Sequence, residues 1–328
     1  MTKVLLTDPI PSSLLQWIQT MLPDGVALDN VPTFSDEDFA QHAADADVLL
    51  SARRQIDARV LALAPRVRFI QQGGAGYDNI DVAAVAAAGI PVAYNPGVNA
   101  TAVAEHTLML MLVLLKRFVP AEQATRAGRF PTAEFAQAGI GDLAGATVGL
   151  VGLGHIGRAV AERLVTFGAR VLYTARHRQD DGTEARLGVR YMALREVLAA
   201  STIVSLHLPL TNESHHLLGE AELALMPPGA LLINTSRGEL IDAQALRWAI
   251  ASGHLGGAAL DVLERESDGG NPFSDLPQVV VTPHIAGLSR VTFQRTLQMA
   301  IANIVRFLAG EPVQNLVPGT YGSSRSEQ

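Results

Sequence analysis

The sequence predicts an α/β protein built from two doubly wound parallel-sheet domains. Three observations carry this expectation. The chain has 328 residues, too many for one ordinary core and suited to two domains of roughly 150 residues each. Short apolar runs alternate with helical stretches from the start, and the same alternation begins again after residue 145, the pattern of parallel strands joined by crossover helices. Apolar residues make up 48% of the chain and charged ones 17%, which implies a large buried core.

Taken in order, KVLLT reads as a first strand and residues 13–21 as a helix. ADVLLS and RVRFIQQ read as strands, VAAVAAAG as a helix and PVAYN as a strand. Together the first ~95 residues form one small α/β unit. Residues 100–119 read as a long apolar helix, and the Gly- and Ala-rich stretch 128–145, which has no clear period, as a connector between domains. The second alternation runs through ATVGLVG, ARVLYTA, TIVSLHLPL, ALLINTS, GGAALDVL and VVVTPHI. A last helical segment, residues 291–309, is placed to carry the chain back to the first domain. The polar tail 322–328 reads as frayed.

Composition excludes several classes. A net charge of -7 and a pI near 5.7 argue against nucleic acid, which needs clustered Lys and Arg. The absence of cysteine rules out a disulfide framework and thiolate metal sites, and leaves cytoplasm as the default compartment. The amino-terminal apolar stretch is too short for a signal peptide. The most apolar stretch, residues 107–115, falls well short of the ~20 residues that cross a bilayer. The histidines His177, His215 and His216 show no ligand spacing to further His, Cys or acidic residues and read as exposed polar residues, so no metal is expected. Leu108, Leu110, Met111 and Leu114 read as core or a subunit contact.

Gly152-Leu153-Gly154-His155-Ile156-Gly157 follows an apolar strand and opens a helix. In that context the first glycine makes a tight turn, the second admits a pyrophosphate to the backbone and the third lets helix pack on strand. A dinucleotide on the helix N-terminus is therefore expected. The end of the next strand selects the dinucleotide: an acid there pairs with the ribose hydroxyls of NAD, whereas arginine accommodates the extra phosphate of NADP. Here the stretch reads Tyr173-Thr174-Ala175-Arg176-His177-Arg178, so NADPH is the preferred cofactor, held by Arg176 and Arg178, with NAD possible.

Three polar residues follow predicted strands, where open α/β sheets place ligands: Arg237 in NTSRGELID, Glu266 in LDVLERE and His284 in TPHIAG. Each alone has a structural alternative: Arg237 could pair with Glu239, Glu266 could be a surface acid, and His284 could cap a turn after Pro283. Taken with GGAGYDNID, VAEHTLMLML, GLVGLGHIGRAVAERL and HLPLTNES in one order, these stretches resemble the D-isomer-specific 2-hydroxyacid dehydrogenase family over about residues 3–310.

The resemblance implies a discontinuous flavodoxin-like substrate domain, residues 1–99 plus 290–328, and a Rossmann cofactor domain, residues 100–289. It implies that His284 protonates the carbonyl oxygen of a small 2-keto acid such as glyoxylate or hydroxypyruvate, that Glu266 bonds its imidazole, and that Arg237 grips the carboxylate. The backbone of Gly74, Ala75 and Gly76 would hold that carboxylate from the first domain, Thr235 and Asp261 would lie near the nicotinamide, and His207 with Pro209 near the cofactor's middle. A homodimer and the family's D stereochemistry are implied as well. The chain departs from the family's proline-punctuated acidic segment with Glu264-Arg265-Glu266-Ser267-Asp268. Five positions after Asp261 is the family spacing, which selects Glu266 over Glu264 and leaves Asp268 outside. A dinucleotide-sensing, corepressor-like protein without turnover is the alternative, and the intact Arg, Glu and His set argues against it.

Overall fold

The computed structural model describes residues 2–264, 266 and 270–320. The chain divides into two compact units, one made by the residues up to Val98 together with those from Ser289 onward, the other by Asn99–Leu288.

The first unit is a five-stranded sheet of β1 (Thr2–Leu6), β2 (Val26–Asn30), β3 (Val48–Ser51), β4 (Phe69–Gln72) and β5 (Val92–Ala93), in the order β2-β1-β3-β4-β5. All pairings are parallel, which makes this the flavodoxin-like order. Because successive side chains point to opposite faces, the strands feed two cores. Leu5, Leu49, Ile70 and Val92 enter one; Val4, Leu6, Val48, Leu50, Phe69 and Ala93 enter the other. This double burial is why the central strands read as unbroken apolar runs. The helix Arg290–Leu308 closes the second face with Leu297, Ala300, Ile301 and Ile304, and Phe307 stacks on Phe69 with ring centroids 4.6 Å apart.

The second unit is a seven-stranded parallel sheet of β6 (Thr147–Val151), β7 (Arg170–Thr174), β8 (Val189–Tyr191), β9 (Ile203–Leu206), β10 (Leu231–Asn234), β11 (Gly257–Leu260) and β12 (Val279–Val281). Its order is β12-β11-β10-β9-β6-β7-β8. The chain winds outward from β6 to β7 and β8, then returns to the other side of β6 with β9. That reversal opens a crevice at the carboxyl ends of the strands, the place where such sheets take ligands. Alternation again supplies two cores, with Val148, Leu150, Ile203 and Ile233 in one and Val151, Val204, Leu206 and Leu232 in the other.

Three expectations change. The apolar helix is Ala100–Leu115; it ends because Arg117 takes a left-handed backbone (φ 49°), and a second helix, Phe118–Arg126, follows. Residues 128–145 are not a connector between domains: they belong wholly to the second unit and contain the helix Thr132–Ala138. The strands β2 and β8, absent from the sequence reading, are both sheet edges. Within the long helix Leu108, Leu110 and Met111 are buried in the core of their own unit, and Leu114 packs against it. Among the described residues no helix is long and apolar enough to cross a membrane.

Candidate active site

The glycine turn after β6 is shaped by close backbone approach. Gly152 has φ 104°, and a Cβ on it would meet the carbonyl oxygen of His207 at 2.4 Å. A Cβ on Gly157 would meet the Gly152 carbonyl at 2.3 Å, so only glycine lets the helix His155–Thr166 pack there. Gly154, the N-cap, is different: nothing lies within 4 Å of the place a Cβ would occupy, and no side chain caps the helix. The first-turn amides, from His155 and Ile156 onward, are thus left for an outside acceptor. A pyrophosphate fits this open cradle. His207 backs the turn. Its Nε2 lies 2.9 Å from Ser205 Oγ, its Nδ1 has no partner among the described residues, and burial pushes its pKa down to about 3, so the ring is neutral near pH 7. The Pro209 carbonyl accepts from Ser214 Oγ at 2.9 Å and so closes the loop that follows.

At the end of β7 the two arginines part company. Arg178 grips Glu184 with Nε (2.8 Å) and a terminal nitrogen (3.0 Å), and reaches Asp181 at 3.0 Å. Glu184 also accepts from the buried Tyr173 hydroxyl at 2.7 Å. The hydrogen bond from Arg178, then that from Tyr173, hold the Glu184 carboxyl below the usual range, while burial and the bond to Glu184 push Tyr173 up to about 12. A carboxylate therefore does stand near this strand end, delivered by the helix Asp181–Leu187, but both its oxygens are engaged. Arg176 meets Glu213 at 2.7 Å with both side chains largely exposed, a pairing worth ~1 kcal/mol or less and easily exchanged for a phosphate.

The strand ends β10, β11 and β12 bring three polar residues into one region of the second unit. Asn234, at the end of β10, bonds the Arg237 carbonyl (2.7 Å) and the Ser236 amide (3.0 Å), which folds the turn that presents Arg237. After β11 comes buried Asp261, whose carboxylate accepts from the Ile285 amide (3.0 Å), the Ala286 amide (2.7 Å) and the Thr282 hydroxyl. His106 joins this network through Thr282 Oγ1 at 3.0 Å. These bonds hold His284 in a left-handed conformation, φ 54°, which costs a non-glycine residue ~1–2 kcal/mol. His284 Nδ1 lies 2.9 Å from Glu266 Oε2. That bond raises the imidazole pKa above its ordinary value; burial and the positive charge of Arg237 oppose the shift without cancelling it. Burial works against the charge on Glu266, yet the bond to His284 and the nearby cations hold its carboxyl below the usual range. Thr235 is buried, with its hydroxyl 3.0 Å from that of Thr107.

Gly74, Ala75 and Gly76 lie in the first unit, in the loop after β4. Gln72 Nε2 braces the loop through the Gly76 carbonyl (2.9 Å) and Asn79 (3.0 Å), and the Asn95 amide bonds the Gly74 carbonyl (3.0 Å). The amides of residues 74, 75 and 76 have no acceptor among the described residues, an arrangement suited to an anion.

Sequence reasoning misses Glu184, His106, Thr282 and Gln72, all recruited by tertiary contact. It also misplaces His216, which is half-buried with its Nε2 3.1 Å from Glu264 Oε1; His177 and His215 are exposed. Asp268 lies outside the described residues.

Comparison with known proteins gives the family. The family model described as D-isomer specific 2-hydroxyacid dehydrogenase, NAD binding domain, matches residues 108–286. The chain is 38% identical over 318 residues to the glyoxylate reductase of Korarchaeum cryptofilum, covering 96% of this chain and 95% of that protein. Among solved structures it resembles the TT0316 protein of Thermus thermophilus, with TM-score 0.85 and 35% identity, covering 96% of this chain and 100% of that one. It also resembles a glyoxylate reductase from Paecilomyes thermophila, with TM-score 0.86 and 30% identity, covering 97% and 98%.

The glycine geometry makes a paired prediction. Gly154→Ala should leave the thermal midpoint unchanged yet weaken dinucleotide binding by roughly tenfold or more, since the new methyl enters the cradle. Gly157→Ala should lower both, because the methyl collides with backbone. Fluorescence titration and a melting curve for each variant check this; a Gly154→Ala protein that binds as well as wild type would remove the cradle from the account.

Proposed function

The chain belongs to the D-isomer-specific 2-hydroxyacid dehydrogenase family, and from that premise we propose that it reduces a short 2-keto acid, of the glyoxylate or hydroxypyruvate kind, to the D-2-hydroxy acid. The observation that carries the reading is the His284–Glu266 pair beside Arg237. A nicotinamide cofactor, when bound on the glycine turn, supplies the hydride. The protein's part is to move a proton and hold an anion. His284, its proton affinity raised by Glu266, donates its proton to the carbonyl oxygen and, in the reverse direction, takes it back. Arg237 offers a planar fork suited to the carboxylate. In the first unit the amides of Gly74, Ala75 and Gly76, which have no acceptor among the described residues, form an arrangement suited to an anion of their own. Asp261, its oxygens already taken by the 282–286 turn, acts by positioning His284, and Thr235 borders the nicotinamide.

The corepressor-like alternative is set aside: relatives that match along nearly the whole chain include named glyoxylate reductases, and sensing alone does not need a proton donor paired with a carboxylate. In the purified protein, glyoxylate or hydroxypyruvate should oxidise the reduced cofactor, followed at its absorbance band. Glu266→Gln should cut the rate of reduction by about tenfold or more on the alkaline side. The sign follows from the pair: Glu266 raises the His284 pKa, so without it the imidazole loses its proton at lower pH and reduction fails earlier as pH rises. The reverse oxidation, which needs neutral imidazole, should persist to lower pH. An unshifted profile would reject the pairing.

The cofactor is assigned as NADPH in preference to NADH. Arg178 is committed to Glu184, so the proposal gives the 2′-phosphate to Arg176, whose one tie among the described residues is an exposed carboxylate. Arg176→Ala should raise the KM for NADPH by roughly tenfold, the loss of one charge-assisted bond, and leave that for NADH nearly unchanged. Equal effects on both would place the phosphate elsewhere.

A homodimer is proposed through the second unit, where Met109, Phe118, Phe130 and Ile140 are exposed, Phe130 at 78%. Exposed large apolar side chains on one unit are candidates for an association surface. Sedimentation equilibrium should return twice the 34.8 kDa of one chain, and a monomer at micromolar concentration would count against this face.

A further inference from the structure

We propose that His215, His216 and Glu264 form a binding site for one divalent transition ion of the Zn2+ class. The three side chains place a ligand atom each within 4.8 Å of one another. His216 Nε2 and Glu264 Oε1 are 3.1 Å apart, close to the ~3.4 Å edge of a tetrahedron whose metal–ligand bonds are about 2.0–2.2 Å long. Two imidazoles and a carboxylate are the donor set that suits Zn2+, and also Ni2+ and Cu2+.

The fold, not the local sequence, makes this cluster: Glu264 is 48 residues beyond His216. The His216 backbone is pinned, its amide bonding the Glu239 carbonyl at 2.7 Å while Leu218 bonds Leu240 at 3.0 Å. The Glu264 backbone packs closely on Gly238, where a Cβ would meet the Glu264 nitrogen at 2.2 Å, and its carboxylate is already in bonding distance of His216. Two donors are thus held before any ion arrives, which lowers the ordering cost of binding. His215 is the adaptable donor. Its ring is exposed, stacks on His216 with centroids 4.0 Å apart, and makes no hydrogen bond among the described residues, so it turns to complete the site at little cost. His216 and Glu264 also line a pocket of about 580 Å³ together with Gly238, Asp242, Asn271 and Phe273, leaving room for water as a fourth ligand.

An ion here would clamp the segment that carries Glu266. Leu263 donates its amide to Glu266 Oε1 at 3.2 Å, so tethering Glu264 to the His215–His216 turn restrains the residues on which that carboxylate depends. The site itself stands independently of the catalytic reading.

Calorimetric titration of tag-free protein with Zn2+ should give one ion per chain, and Co2+ should give the intense visible bands of a low-coordinate centre. His215→Ala, Glu264→Gln and His216→Asn should each weaken Zn2+ binding by roughly tenfold or more, the scale of losing a metal-site group. Asparagine is chosen at 216 because it tolerates the positive φ of 51° there. His284→Ala should bind Zn2+ as wild type does. Hydrogen exchange at the amides of residues 262–264 should slow on Zn2+ addition in wild type and not in Glu264→Gln. Absence of binding, binding unaffected in all three variants, or loss in His284→Ala would overturn the proposal.

Discussion

The candidate site depends on a buried carboxylate. Asp261 sits at the end of β11, and its two oxygens take up the amides of Ile285 and Ala286 and the hydroxyl of Thr282. A buried carboxylate left unpaired would be costly; surrounded by donors it becomes an organising centre. It draws the chain after β12 into a tight turn and holds His284 in a backbone conformation that a non-glycine residue does not adopt unaided. The geometry of His284 against Glu266 is downstream of this constraint. A change at Asp261 would be felt at His284 without Asp261 touching any reacting atom.

The constraint works because the sheet delivers its parts to one place. In a parallel sheet every strand points the same way, so the turns after β10, β11 and β12 all emerge at the carboxyl edge. Arg237 comes from the first, Asp261 and Glu266 from the second, and His284 from the third. None of the three positions requires a long loop. The cost falls on the backbone instead, and the glycines absorb it: Gly238 has Leu263 and Glu264 so near that no side chain fits, just as Gly152 and Gly157 admit none at the dinucleotide turn.

What is legible in the sequence follows the same physics. The central strands are buried on both faces and announce themselves as apolar runs. The edge strands do not. β2 is half-exposed at every position, and β8 has three residues with its middle one exposed, so neither carries the apolar run that gives a central strand away. The fingerprint is legible because its chemistry is local, three glycines spaced along one turn. Arg237 and His284 are legible as polar residues just past strand ends, and Glu266 is selected by its spacing from Asp261. The tertiary partners are not legible. Glu184 reaches Tyr173 and Arg178 from a separate helix, His106 reaches Thr282 across 176 residues, and the His216–Glu264 contact needs two strand-end loops to meet. The break of the long apolar helix at Arg117 comes three residues before Pro120, which sits in the first turn of the next helix, and hydrophobic length alone carries the first helix too far.

One loop holds two carboxylates two residues apart, and they serve different histidines: Glu264 bonds His216 and Glu266 bonds His284. Both histidines have left-handed backbones, and neither bond is deeply buried, so each exchanges more readily than the Asp261 network behind them. Rigidity and adaptability are therefore divided by depth. The buried acid sets where the turn goes, while Glu266 raises the proton affinity of the His284 that the turn presents. Such a division suits the acid–base role proposed for His284, since its charge can change without the turn itself giving way.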